Sequence, residues 1–127
     1  MATLLTWSWD DIAAFGRNVL FAQGDTALLF GTFTRDGGTS NAFKHAYLAA
    51  LHYYSFGANK AWQLLNAHEN DRCGQQGLSC LDKMDCLNNG AGIAIASSQG
   101  GIINAIAVIL IAANSGARSI NNMLLVF

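Results

Sequence analysis

The sequence predicts an all-α domain, a single-domain bundle of five or six helices. Its 127 residues include no proline, so nothing forces a break in a long helix. Several segments carry apolar residues at helical spacing, as Phe43, Tyr47, Leu51 and Tyr54 do. Hydrophobic residues make up 52% and charged residues 12%, whereas about 25% charged is usual. A chain of this composition is extensively buried, oligomeric or close to a membrane, and at this length it forms one domain over residues 1–127.

The first predicted helix begins behind Ser8, which can form a capping box with the acid three residues on, Asp11. Gly24 is expected to end this helix at the position after its last helical residue. A second, short helix is then predicted over residues 27–30. A loop over 35–40, rich in Gly, Ser and Thr, leads to the next helix.

Three helices are predicted in the middle of the chain. They cover residues 41–56, about 59–70 with Asn59 as the cap, and about 79–97 behind a capping box of Ser79 and Asp82. The third contains Gly90 and Gly92, which each cost roughly 1 kcal/mol against alanine inside a helix. Glycine at such a place indicates that another group approaches the helix backbone closely.

The last predicted helix, over 102–113, is apolar almost all round. It would be about 18 Å long, too short for a bilayer core of about 30 Å. We therefore expect it to be the buried helix at the centre of the bundle, with the others around it. The apolar end of segment 119–127 is expected to dock on a protein partner or a membrane, and a homo-oligomer fits the same feature.

Charge and the N-terminal sequence limit the partners and the compartment. The net charge is −1 and the seven Lys and Arg are scattered singly, so nucleic-acid binding is not expected. No positive segment followed by an apolar run stands at the N-terminus, so no signal peptide is predicted. The protein is then either cytoplasmic or a piece of a longer, exported chain.

The three cysteines lie close together in sequence. A bridge between Cys73 and Cys80 would close the loop 74–77 and leave Cys86 free on the following helix. Three reduced thiols are the alternative, because cysteine number alone fixes no compartment. The spacings do not match the two to four intervening residues of a zinc knuckle.

Polar side chains gather in an otherwise apolar stretch. The short joint between the helices at 41–56 and 59–70 makes them antiparallel, which brings His45 level with His68 and with the only glutamate, Glu69. Asp85 and Asn89, one turn apart on the next helix, can meet them there. The set could hold a divalent metal that activates water, or could work without metal through a carboxylate-oriented histidine as general base. The alternative is a buried polar network that only fixes the register of the helices, and His52 is expected to be an ordinary half-exposed structural histidine.

These residues carry a resemblance to a family. Three motifs occur in order: Asn41-Ala42-Phe43-Lys44-His45-Ala46-Tyr47, Ala67-His68-Glu69, and Met84-Asp85-x-x-Asn88-Asn89-x-x-Gly92. They resemble an uncharacterised helical domain of bacteria that often occurs as a C-terminal module of secreted or toxin-like proteins. The resemblance covers about residues 41–92, and Lys44 stands where the family has arginine. It implies a site in this stretch and an exported context.

The function expected from these observations is a small hydrolase acting as a secreted or periplasmic effector, on cell-envelope material. His45, His68, Glu69 and Asp85 are the candidate catalytic residues or metal ligands, and Asn88, Asn89 and Lys44 the candidate substrate contacts. Two other classes stay open: a binding or assembly module whose polar cluster is only structural, and a membrane-active, pore-forming protein.

Overall fold

The structure is a computed structural model that describes residues 7–31, 39–69, 73 and 80–115. The described residues form five helices and no strand, so the predicted all-α bundle is confirmed. In chain order the helices are α1 (Trp9–Phe30), α2 (Thr39–Phe56), α3 (Ala58–His68), α4 (Cys80–Ser98) and α5 (Ile102–Ser115).

Helix α1 begins as predicted and ends later than predicted. The Asp11 amide donates to Ser8 Oγ and the Ser8 amide to an Asp11 carboxylate oxygen, which completes the capping box. The helix continues through Gly24 to Gly31, which has the left-handed conformation with φ 70°. The predicted short helix over 27–30 is therefore the last turn of α1. Burial of Ala22 and Thr26 on either side of Gly24 outweighs the weak helix propensity of one glycine.

Helix α2 lies at the centre of the bundle. It contacts each of the other four helices, and most extensively α4. Its many buried alanines, such as Ala46 and Ala49, let neighbouring helices approach from several sides. Helix α5, which was expected at the centre, buries one face through Ile109 but leaves Ile103 80% and Ile111 62% exposed. Because only one side of α5 is covered, the helix lies at the edge of the bundle and the expectation of a central α5 was wrong.

Two glycines set how α2 meets its neighbours. A Cβ on Gly92 of α4 would lie 2.2 Å from the carbonyl oxygen of Ala46, so the two backbones are in direct contact and the predicted close approach is confirmed. The joint between α2 and α3 is Gly57 alone, with φ 82°, a conformation that glycine adopts without steric cost. Gly57, rather than Asn59, is the residue that precedes α3, and Asn59 lies inside the first turn.

Several predicted features concern residues that the structure does not describe. The loop at 35–40 for the most part, the Ser79 cap and the apolar segment 119–127 lie outside the described residues. Within the described ranges, none of the helices has both the length and the apolar character needed to cross a membrane.

Candidate functional site

Three helix ends or turns bring polar side chains to one place. His45 comes from the second turn of α2, and Glu69 follows the last residue of the antiparallel helix α3. Helix α4 passes both of them and contributes Asp85 and, one turn later, Asn89. The antiparallel α2–α3 pair accounts for the meeting of His45 and Glu69, as the sequence predicts.

His45 lies at the centre of this group and contacts it through both ring nitrogens. Its Nε2 is 3.2 Å from Asp85 Oδ1, and its Nδ1 is 3.2 Å from Asn89 Oδ1 and 3.9 Å from Glu69 Oε1. Oδ1 of Asn89 can only accept a hydrogen bond, so in this arrangement Nδ1 carries a proton and donates it. We call His45, Glu69, Asp85, Asn89 and Asn41 the His45 cluster.

Asn41 is the member that the site prediction omits. Its Nδ2 donates to Asp85 Oδ1 at 3.0 Å, and the residue is 3% exposed. It lies one turn before His45 on the same face of α2. The i, i+4 spacing of Asn41 and His45 was the signal for it, because the predicted helix covers residues 41–56.

The cluster is largely shielded from water. His45 is 5% exposed, Glu69 9% and Asn89 1%. Nδ2 of Asn89 has no hydrogen-bond acceptor among the described residues, although it is fully buried. A buried amide donor without an acceptor costs about 1–3 kcal/mol, so this atom indicates a place for an oxygen.

The cluster also has a ligand set suited to a metal ion. One ring nitrogen of His45 and one oxygen each of Glu69 and Asp85 lie within 4.8 Å of one another. Imidazole nitrogen and carboxylate oxygen are common ligands of divalent ions. The predicted joining of His45, Glu69 and Asp85 is thus present in the geometry.

The remaining predicted residues lie around the cluster. His68 is the last residue of α3, and its side chain lies outside the described ones. Asn88 is buried on α4 beside Asn89. Lys44 is partly exposed and lines a small pocket between α1 and α2, together with His45 and with Val19, Ala22, Gln23 and Leu48. His45 therefore borders both the cluster and this pocket.

The disulfide differs from the predicted one. Cys73 is bonded to Cys86, with the two Cα atoms 5.6 Å apart, so the predicted Cys73–Cys80 bridge and the free Cys86 were wrong. The prediction used nearness in sequence, whereas the return of α4 past the end of α3 brings Cys86 to Cys73. Cys73 follows Glu69 by four residues and Cys86 follows Asp85 directly, so the bridge ties together the two segments that carry the carboxylates.

A second buried polar group lies at the other end of α2. Nδ2 of Asn18 is 3.1 Å from His52 Nδ1 and donates to Ser55 Oγ at 3.1 Å. Phe15 stacks on the His52 ring with centroids 5.3 Å apart. His52 is 1% exposed, so the expectation of a half-exposed histidine was wrong. The ring of Phe15 and the amide of Asn18 cover His52, which fits the expected structural role of this histidine.

The comparison with known families assigns most of the chain. Residues 19–116 match the family described as a domain of unknown function, DUF6973. The chain belongs to the DUF6973 family. No curated protein and no solved structure matches it.

The His45 cluster lies wholly inside the DUF6973 domain. All of its residues, and both cysteines of the bridge, fall between 19 and 116. Asn18, which contacts His52, precedes the matched range by one residue. The cluster and the bridge are therefore features that the DUF6973 domain contains by itself, whereas the His52 group also uses the preceding turns of α1.

Proposed function

We propose that this DUF6973 protein is a small hydrolase and that the His45 cluster is its active site. The observation that carries the proposal is the convergence of His45, Glu69 and Asp85 with their ligand atoms within 4.8 Å. Three titratable groups from three different segments are gathered in a place with little water, which is costly unless the groups are used or fully paired.

The arrangement suits the activation of water. The carboxylate of Asp85 lies beside Nε2 of His45, and it can accept a hydrogen bond from that nitrogen once Nε2 has taken a proton from water. Glu69 lies on the side of the other nitrogen, where it can take or hold a proton. The buried Nδ2 of Asn89 offers a hydrogen bond to an oxygen that becomes negative during hydrolysis.

The pocket beside His45 is the place where we propose that substrate approaches. It opens between α1 and α2, and Lys44 stands at its edge. The positive charge of Lys44 favours a substrate with a carboxylate or phosphate near the bond that is cleaved. Cell-envelope polymers and lipids carry such groups, so they remain the substrate class that we propose.

We further propose that the protein acts outside the cytoplasm, as a bacterial toxin-like effector. The disulfide between Cys73 and Cys86 supports this location, because such bonds persist in oxidising compartments. The bond also holds the Glu69 and Asp85 segments together, so the site would be best formed in that environment.

The test compares the wild type with Glu69→Gln, which keeps the shape of the side chain and removes its charge. Each protein is directed to the periplasm or kept in the cytoplasm of a bacterial host, and growth is followed. Release of soluble fragments from purified envelope material is measured in parallel. We expect the wild type to inhibit growth when exported and to release fragments, and Glu69→Gln to do neither with a melting temperature unchanged or raised.

Asp25→Asn is the matched control, since Asp25 is a carboxylate of α1 that bonds to Tyr47 and lies outside the cluster. It should keep the wild-type effect on growth and on envelope material. A clear fall in the stability of Glu69→Gln with both effects intact would show that the cluster is architectural. In that case the enzyme proposal is abandoned.

A second candidate is a binding or assembly module, favoured by the outer face of α1. Trp9, Leu20 and Leu28 are 84%, 70% and 82% exposed there. Large apolar side chains grouped on a surface often mark an interface. Sedimentation of the wild type against Leu20→Lys distinguishes the two cases, because an assembly module would dissociate in the variant and lose its biological effect, whereas the hydrolase would keep its activity.

A further inference from the structure

We propose that the His45 cluster binds one divalent cation, with His45 Nε2, Glu69 and Asp85 as its protein ligands. Asn89 then hydrogen-bonds to the ring of His45 and to a water molecule on the cation. The cation would be the group that activates water, and in this respect the proposal rests on the proposed function.

The separations of the ligand atoms fit a cation. Nε2 of His45 and Oδ1 of Asp85 are 3.2 Å apart. Two ligands that each lie about 2.0–2.2 Å from a metal ion, at angles between a right angle and the tetrahedral angle, are separated by roughly that distance. Glu69 brings an oxygen within 4.8 Å of a ring nitrogen of His45 and of an oxygen of Asp85. Its Oε1 is 3.9 Å from Nδ1 of His45, so the Glu69 side chain must turn towards Nε2 to reach the cation.

The contact with Asn89 selects the nitrogen that faces the cation. Nδ1–H of His45 donates to Asn89 Oδ1, which leaves the lone pair of a neutral ring on Nε2, on the side of Asp85. Histidine ligands of metals usually donate their other ring N–H to such an acceptor, which fixes the tautomer and the orientation of the ring. Asn41 does the same for Asp85, since its Nδ2 donates to the carboxylate.

The unsatisfied amide of Asn89 is an independent observation that points to a ligand. Asn89 is 1% exposed, its Oδ1 contacts His45, and its Nδ2 has no acceptor within the described part of the chain. A donor beside a carboxylate-rich site needs an oxygen atom. Three protein ligands leave at least one position of a cation open, and a water molecule in that position supplies the missing oxygen.

The chemistry of the ligands selects the class of cation. One imidazole and two carboxylates suit ions such as Zn²⁺ and Mn²⁺, whereas Mg²⁺ and Ca²⁺ prefer sites made of oxygen alone. Binding requires a neutral His45 and charged carboxylates. Any proton held by the cluster in the absence of the ion is therefore released when the ion binds.

The experiment is isothermal titration of the chelator-treated, disulfide-bonded protein with Zn²⁺, and separately with Mn²⁺. We expect saturable binding of one ion per chain. Asp85→Asn and Glu69→Gln should each weaken binding at least ten-fold, and Asp25→Asn should leave it unchanged. Circular dichroism shows beforehand that each variant is folded.

Two results would overturn the cation site. One is a wild-type protein without saturable binding of either ion, which would identify the cluster as a closed network of protein groups. The other is binding that both Asp85→Asn and Glu69→Gln leave intact, which would place the ion elsewhere. If a variant fails to fold, the wild-type titration still decides the first case.

Failure of the cation site can be told apart from failure of the hydrolase. Hydrolysis that persists unchanged in the chelator-treated protein refutes the cation as the activating group but supports the proposed function. If the protein binds one cation saturably but neither inhibits growth nor releases fragments from envelope material, the hydrolase is refuted and a structural metal site is left.

Discussion

Replacing Gly92 by alanine tests the contact on which the His45 cluster depends. The new Cβ would lie 2.2 Å from the carbonyl oxygen of Ala46 and 2.8 Å from its Cα. These are backbone atoms in the middle of α2, so no side-chain rotation can relieve the clash. Since 3.4 Å is an ordinary contact, α2 and α4 must move apart by roughly 1 Å.

The expected loss of stability follows from two opposing effects. Inserting a methyl group into a closely packed contact costs about 1–3 kcal/mol, and a rigid backbone neighbour places Gly92→Ala near the upper end. Alanine gains about 1 kcal/mol over glycine in helix propensity. We therefore expect the free energy of unfolding to fall by about 2 kcal/mol, which leaves a domain of ordinary stability folded.

Urea unfolding followed by circular dichroism measures this difference. The matched control is Gly24→Ala in α1, because Gly24 is helical, exposed and has no atom within 4 Å of the added Cβ. That variant should gain about 0.5–1 kcal/mol. If Gly92→Ala is as stable as Gly24→Ala, the close approach of α2 and α4 does not exist and the reasoning fails.

Three further predictions concern other parts of the fold. Reduction of the Cys73–Cys86 bridge should lower the free energy of unfolding by about 3 kcal/mol, as expected for a closed loop of this length; equal urea midpoints with and without reductant would contradict this. Burial, together with the hydrogen bond to Asp25, raises the pKa of Tyr47 above its usual 10.0, so the folded state keeps a proton that the unfolded state loses. Stability should therefore decline as pH rises above about 10, and more steeply in the wild type than in Tyr47→Phe, which thermal melts between pH 8 and 11 can check. Asn18→Leu should cost about 1–3 kcal/mol by leaving His52 without its donor, and an unchanged melting temperature would exclude that role.

Much of the fold could be predicted because local signals and tertiary packing agree. The Ser8 capping box and the end of α2 before Gly57 were both visible in the sequence and both occur. Where a local signal and tertiary packing disagree, the local signal fails. Gly24 is a helix stop by propensity, but burial of Ala22 and Thr26 against the bundle carries α1 through it.

The site was partly predictable for a geometric reason. A single-residue joint makes α2 and α3 antiparallel, and this alone brings His45 to Glu69. The partner of Cys73 depends on where α4 returns, which no local pattern states, so the nearest cysteine in sequence was the wrong choice. The burial of His52 could not be predicted from its own helix either, because Asn18 and Phe15 contact it from α1.

The contact between Gly92 and Ala46 bears on what the His45 cluster is for. Buried polar networks are sometimes retained because they fix the register of helices. Here the register of α2 and α4 is already fixed by a backbone contact that leaves no room for a Cβ on Gly92. This contact lies at the level of the cluster, because Ala46 directly follows His45 and Gly92 lies three residues after Asn89. A polar cluster at the same level would add little to that specification, yet it keeps two carboxylates in a nearly dry place. It also leaves Nδ2 of Asn89 without an acceptor in the part of the chain that the structure describes. A protein with apolar residues of similar size in place of the cluster would be as stable as the wild type, or more stable. This redundancy favours a chemical use of the cluster over a purely structural one. It predicts that apolar replacement of all members of the His45 cluster together keeps the fold while it abolishes binding of the cation.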